Sequence, residues 1–331
     1  MDRRKLGRTG LEVSVLGFGC GAVGGLMIRG SAADQERAVA RAIELGINYF
    51  DTAAMYGNGE SERNLGRVMK SLKPDIYVGT KVRIPSGERS HIAAAVTQSL
   101  EASLERLQLE RVDLFQLHNH ITREGRDSDL TPEIVLGKVV PTFQRLQEQG
   151  KIRFYGITAV GDTPALHQVS DAHAFDTAQV PYNLLNPSAG TTVTRGYPGH
   201  DFSNLLAHTR AASMGVIAIR VLAAGALSGS EARHPLGSPT VEPIGSGSSY
   251  RIDVGRAQRL DPLVREGLGD SIVELAVRFA ISHEAVSTAL VGYSTFEHLE
   301  YAAAAANKGA LSREALERIS ALQGSFVGEA R

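Results

Sequence analysis

The chain has 331 residues, 35 basic and 36 acidic, for a formal charge of -1, with 43% hydrophobic and 21% charged residues. That balance excludes disorder driven by charge and low hydrophobicity, and it offers no net field to draw the protein to nucleic acid or to an anionic membrane, so small molecules are the expected partners. One cysteine, Cys20, excludes an intrachain disulfide and a cysteine-based zinc cluster; with no apolar leader and no apolar run of membrane-spanning length, a cytoplasmic location is expected.

At the amino end, residues 3–6 and 12–15 flank Gly7-Arg-Thr-Gly10 and read as a β-hairpin placed to close one end of the fold. From there, short β-type runs at 15–19, 47–50, 76–80, 112–117, 153–157, 177–180, 216–219 and 288–291 alternate with amphipathic helical stretches, the pattern of parallel strands joined by crossover helices. After the first run, Gly19-Cys-Gly-Ala-Val-Gly24 matches the G-x-G-x-x-G string. A dinucleotide loop of that kind opens a helix at once, and the helical pattern here resumes only near Ala33. These glycines are therefore read as places where backbone approaches a ligand, with Gly21 and Ala22 among the cofactor contacts. The second run leads to an apolar stripe of Leu65, Val68 and Met69.

In the third run, Tyr77-Val-Gly-Thr-Lys81 matches the Y-x-x-x-K string, but residues four apart on a strand lie roughly 13 Å apart and cannot act as a Tyr–Lys pair one helical turn apart. Ser90 then caps a helix whose Ile92, Val96, Leu100, Leu104 and Leu107 recur at helical spacing. Further stripes are Val140, Phe143 and Leu146, and Ile272, Leu275, Ala276 and Phe279; the alanine run 302–306 also reads as helix. Gly46, Gly150 and Gly215 sit where helix C-terminal glycines belong. Two irregular stretches, 119–132 and 228–262, follow predicted strand C-termini and read as lids. No composition shift divides the chain. The expected fold is α/β, a (β/α)8 TIM barrel with an N-terminal β-hairpin closing the bottom, as a single domain over 1–331.

In such a barrel the residues at or just past the strand C-termini share one rim: Asp51, Lys81, His118, Thr158, Gln179, Arg220 and Gly292. Taken singly, Asp51 reads as a helix cap, Lys81 as a solvated strand end and His118 as a core histidine. Together with Tyr56 they form an acid–base cluster. A phenol titrating near pH 10 needs a nearby cation to exchange protons efficiently near neutrality; Lys81 supplies one, Asp51 keeps Lys81 charged and placed, and His118 orients a substrate oxygen. No histidine has metal-ligand spacing with a convincing partner, and no metal is expected.

Gly46-Ile-Asn-Tyr-Phe-Asp-Thr-Ala-Ala-Met-Tyr-Gly57 closely resembles the second-strand signature of the aldo-keto reductases. Thr80-Lys81 and Val112-Asp-Leu-Phe-Gln-Leu-His118 follow in the family's order, and Gly150-Lys-Ile-Arg-Phe-Tyr-Gly-Ile157, Gln179-Val-Pro-Tyr-Asn183 and Leu222-Ala-Ala-Gly-Ala-Leu227 extend the resemblance over nearly the whole chain. The resemblance implies an NAD(P)-dependent oxidoreductase that reduces an aldehyde or ketone, or oxidises a sugar-like alcohol. Asp51, Tyr56, Lys81 and His118 are then its catalytic tetrad and Tyr56 its general acid. Thr158 and Gln179 meet the nicotinamide carboxamide, with Asp51 beside them. Ile219 and then Arg220 stand where the family has an aromatic ring, so that the aliphatic side chain or the guanidinium packs flat in its place; Val221, Leu222, Ala223, Gly225 and Leu227 run beneath the pyrophosphate, and Gly292, Tyr293, Ser294 and His298 line the adenosine end. NADP(H) is favoured and NAD(H) left open, because Ser294 stands where the family usually has an arginine for the 2′-phosphate; a hydroxyl with His298 binds phosphate less strongly than a guanidinium fork.

Two other readings share the fold: a cofactor-binding regulatory subunit with little turnover, and a barrel lyase or isomerase that needs no nicotinamide. Substrate identity and oligomeric state have no motif to read.

Overall fold

The computed structural model describes residues 1–244 and 249–328. Strands β1 (Arg3–Lys5) and β2 (Glu12–Ser14) pair as an antiparallel hairpin. The other eight are β3 (Leu16–Gly19), β4 (Tyr49–Asp51), β5 (Tyr77–Val82), β6 (Val112–Leu117), β7 (Ile152–Thr158), β8 (Thr177–Pro181), β9 (Gly215–Ile219) and β10 (Val286–Gly292). They form a closed parallel barrel in chain order, with β10 returning to pair with both β3 and β9. Parallel strands buried on both faces need helices around them, and the predicted stripes supply the contact faces. Leu65, Val68 and Met69 are buried on helix Glu60–Leu72, all five positions of the 92–107 stripe on helix Ile92–Leu107, and Ile272, Leu275, Ala276 and Phe279 on helix Ile272–Ser282.

The hairpin closes the bottom as expected. Leu6, Leu11 and Val13 join Tyr49, Leu114 and Ile217 in a small apolar cluster inside the barrel, separate from the larger core between strands and helices. Arg4 fixes the hairpin to one side by donating to the carbonyls of Val286 and Ile281, and Arg8 to another through the Ala212 carbonyl.

Some local readings are corrected. Ser90 is not the cap: the helix begins at Ile92 with His91 at the N-cap and no side-chain capping bond. Gly46 and Gly150 do take left-handed conformations after helices, but Gly215 is the first residue of β9, and it is glycine because any Cβ there would strike Leu6 of the hairpin, 2.6 Å from its carbonyl carbon. A four-residue helix, Leu26–Arg29, precedes Ala33. A third long connection, 182–204, joins β8 to helix Leu205–Ala211; its apolar residues, such as Leu184, Leu185 and Tyr197, are buried, so its composition does not mark it as a loop. The 228–262 stretch contains helix Tyr250–Gln258 and the start of helix Asp261–Arg265, and its residues 245–248 lie outside the described residues. No helix among the described residues is long and apolar enough to cross a membrane.

Candidate active site

The predicted rim residues converge at the C-terminal mouth of the barrel. Asp51, Thr158 and Gly292 end their strands, Lys81 and Gln179 lie just inside theirs, and His118 and Arg220 are the first residues beyond. Adjacent registers bring them together: Gly19 pairs with Asp51, Lys81 with Gln116 two residues before His118, and Thr158 with Gln179.

Asp51 and Lys81 form a buried ion pair through Oδ1 and Nζ, each side chain only 1% exposed. The ammonium also donates to the Thr52 carbonyl (2.7 Å) and to the Tyr56 hydroxyl (3.4 Å), which uses all three of its N–H groups. The other Asp51 oxygen, Oδ2, accepts from the Tyr49 hydroxyl (2.8 Å) and from Gln179 Nε2 (2.7 Å). An ion pair so far from water is stable only if both partners have their remaining hydrogen bonds, and here they do. Burial opposes the Lys81 charge, but Asp51 and the Tyr56 oxygen outweigh it and raise the Lys81 pKa.

Tyr56 reaches this pair from a tight loop. Gly57, Asn58 and Gly59 all take positive φ, turning the chain into helix Glu60–Leu72, while Ser61 ties the loop down by donating to the Cys20 carbonyl (2.9 Å) and bonding with Thr52 (2.8 Å). The Tyr56 ring lies over Lys81 Nζ (4.8 Å to the centroid) and edge-on to His118 at 6.0 Å. Burial pushes the phenol pKa up, Lys81 pulls it down and Asp51 pushes it up again; the balance leaves it raised. Tyr56 is therefore a protonated phenol at neutral pH. His118 is pushed down to about 3, by burial first and then by Lys81, Arg83, His120 and Arg220. Its imidazole is neutral at working pH, with one N–H to offer a ligand oxygen.

Three further segments meet at this mouth of the barrel. Positive φ at Arg220 and again at Ala223, Ala224 and Gly225 turns the backbone sharply after β9, through Ala223–Ser228, where only Leu227 is large. Across the mouth, a Cβ on Gly24 would run into the Tyr293 backbone, so residues 22–25 lie directly against 292–294. Residues 233–238 strap this region: Ser238 Oγ donates to the Ala22 carbonyl (2.9 Å), Arg233 to the Ala224 carbonyl (2.8 Å) and Arg29 to the Leu236 carbonyl (2.6 Å). Ser294 Oγ donates to the Gly24 carbonyl (2.6 Å) and the Tyr293 ring is buried against Phe18. His298 stands on the first turn of helix Phe296–Asn307, capped by Thr295, with His234 at 6.3 Å.

Sequence reasoning missed three supports. Tyr49 shares a strand face with Asp51, and a tyrosine at a fully buried inward position needs a partner for its hydroxyl; that was the available signal. Gly79 makes the space, since a Cβ there would lie 2.6 Å from the Tyr49 oxygen. Glu62, wholly buried, accepts from Thr80 (2.5 Å) and Arg106 (2.6 Å), joining two helices to β5 directly behind Lys81. Asn119 bridges Ile84 and Ser128, holding the root of the 119–131 loop at the mouth.

A family model described as "Aldo/keto reductase family" matches residues 15–323. The chain is 29% identical to L-galactose dehydrogenase of Arabidopsis thaliana, over 91% of this chain and 86% of that one. Among solved structures it is similar to the holo form of aldo-keto reductase AKR11C1 from Bacillus halodurans, at 24% identity and TM-score 0.72 over 97% of this chain and 96% of that one. It is also similar to an aldo/keto reductase from Klebsiella pneumoniae in complex with NADP and acetate, at 22% identity and TM-score 0.68 over 98% and 96%.

Proposed function

The chain belongs to the aldo/keto reductase family and is an NAD(P)H-dependent oxidoreductase, and from that premise we propose that it reduces a small aldehyde or ketone, or oxidises the matching alcohol, with Tyr56 as the acid–base group. The observation that carries this reading is the closed hydrogen-bond chain from Tyr49 and Gln179 through Asp51 and Lys81 to the Tyr56 hydroxyl. When bound, the nicotinamide supplies or accepts the hydride. Tyr56 gives its proton to the carbonyl oxygen as that oxygen gains charge. Lys81, held beside the phenol by Asp51, stabilises the phenolate left behind. His118, neutral, donates a hydrogen bond to the same oxygen and holds its orientation.

The described residues fit such a cofactor. The segment Ala223–Ser228 bears small side chains apart from the buried Leu227, beneath a strap, and the Thr158 hydroxyl and Gln179 amide stand beside Asp51 where a carboxamide needs partners. NADP(H) is the favoured cofactor, as in the Klebsiella pneumoniae complex, with NAD(H) open. The Ser294 proton is already given to Gly24, so recognition of a 2′-phosphate falls to His298 and the N-terminus of helix Phe296–Asn307. We read the chain as one barrel domain, 1–331, at work in the cytoplasm.

The test is oxidation of NADPH and NADH in parallel with a reactive aromatic aldehyde, by the intact protein and by Tyr56→Phe. Turnover should fall roughly 10²–10⁴-fold in the variant, with cofactor affinity nearly unchanged. Cofactor binding without turnover of any carbonyl in the intact protein would move the assignment to a regulatory subunit; absence of cofactor binding would favour a lyase or isomerase.

A further inference from the structure

We propose that this site is built for carbonyl compounds that carry an oxyanion, a carboxylate or a phosphate, held at the barrel mouth by Arg83 and Arg220; the inference rests on the reductase reading above. Arg83 follows β5 two residues after Lys81 and so continues the face on which Lys81 points into the site. The His118 backbone N–H donates to the Val82 carbonyl (2.8 Å), which fixes Arg83 beside His118. Arg83 Nη2 donates to Ser128 Oγ (2.9 Å), so the 119–131 loop braces this guanidinium over the mouth. Arg220 enters from the other side, immediately after β9. Its backbone sits at φ 59°, a left-handed conformation that costs a non-glycine residue energy, and Asn183 Nδ2 holds its carbonyl (3.1 Å).

Among the described residues neither guanidinium has a carboxylate partner, because the acids around the mouth face other side chains. Asp129 faces His120 (3.9 Å), Asp162 faces Arg123 (3.8 Å) and Glu124 pairs with Arg126 (2.6 Å). Both guanidinia help push the His118 pKa down, behind burial and Lys81, so both stand within charge range of the imidazole that would hold the reacting oxygen. Two uncompensated guanidinium forks flanking a neutral imidazole and a neutral phenol form a positive collar whose geometry suits the paired oxygens of carboxylate or phosphate.

The experiment compares kcat/KM, with NADPH, within two matched pairs: 4-carboxybenzaldehyde against methyl 4-formylbenzoate, and glyceraldehyde 3-phosphate against glyceraldehyde. The anionic member of at least one pair should be favoured roughly tenfold or more, as a charge-assisted contact implies, and the preference should shrink as salt is added. The favoured pair tells carboxylate from phosphate. In Arg83→Gln and in Arg220→Gln the anionic-to-neutral ratio should fall toward one, with NADPH affinity titrated separately for each. A ratio near one in the intact protein, or a high ratio that survives both substitutions, overturns the proposal. Weakened NADPH binding in Arg220→Gln with the ratio intact assigns that residue to the cofactor and overturns its part. No turnover of any of the four aldehydes, anionic or neutral, by an intact protein that binds NADPH overturns the reductase reading itself, a distinct failure.

Discussion

At its floor the barrel is filled by Leu6, Leu11 and Val13 packed on Leu114 and Ile217, whereas at its mouth the same strands present Asp51, Lys81, Gln179 and His118. Floor contacts are non-directional, so each is worth its buried area and a neighbour can partly fill a gap. Mouth contacts are charged and buried, so each group depends on its partner and loss of one strands the other. Tyr49 belongs to both regions, its ring in the floor cluster and its hydroxyl on Asp51. Stability and chemistry are thus separated along one short axis, with a single side chain at the boundary.

The largest effect expected is at the mouth. Lys81→Met leaves Asp51 buried and unpaired, which should cost about 3–5 kcal/mol and abolish turnover. Adding Asp51→Leu should restore most of the stability and none of the activity, measured by urea unfolding beside turnover. Leu6→Ala, at the floor, should cost about 2–5 kcal/mol while kcat of the folded enzyme stays near that of the intact protein; a proportional loss of kcat would erase the distinction between the two ends.

Gly79→Ala tests the boundary. Its new methyl meets the Tyr49 oxygen and should cost about 1–3 kcal/mol, a penalty that Tyr49→Phe in the same chain should relieve. Additive losses in that double-mutant cycle would place the clash elsewhere. Acid titration sharpens the contrast further. The folded pKa of His118, about 3, lies below the ordinary value of 6.5. The unfolded chain therefore takes up the proton first, and stability present above that ordinary value is lost as the pH falls toward the folded value. The slope is at most about 1.4 kcal/mol per pH unit, and His118→Gln should flatten it in a melting series across mildly acid pH. Tyr49→Phe alone removes one of several bonds to a charged acceptor and should cost about 1.5–3 kcal/mol with turnover retained.

The barrel was legible because its signals are periodic and local: the helical stripes and the eight β-type runs fall where the structure places them. The meeting of Asp51, Tyr56, Lys81 and His118 was legible because three of them stand at strand ends and Tyr56 on the loop just after Asp51. What escaped depends on contacts distant in sequence. Gly215 read as a helix terminus until Leu6 was seen against it, and the 182–204 connection hid behind its own buried apolar residues. The support of Asp51 by Tyr49 needs the space left by Gly79 on the neighbouring strand, and the Ser294 hydroxyl is engaged by Gly24, which is adjacent only once β10 returns to β3.

The central claim is that Tyr56, held protonated by its surroundings, is the proton donor. Its pKa is raised above the ordinary value of 10, so carbonyl reduction, which needs the protonated phenol, should hold steady with rising pH, and alcohol oxidation, which needs the phenolate, should climb. The most direct measurement is the pair of kcat/KM profiles, reduction and oxidation, between roughly pH 6 and 9, for the intact protein and for Tyr56→Phe. The account predicts a flat reduction profile and an oxidation profile that rises nearly tenfold per pH unit, both lost in the variant. A Tyr56→Phe protein that kept the rising oxidation limb would assign the proton to another group and contradict it.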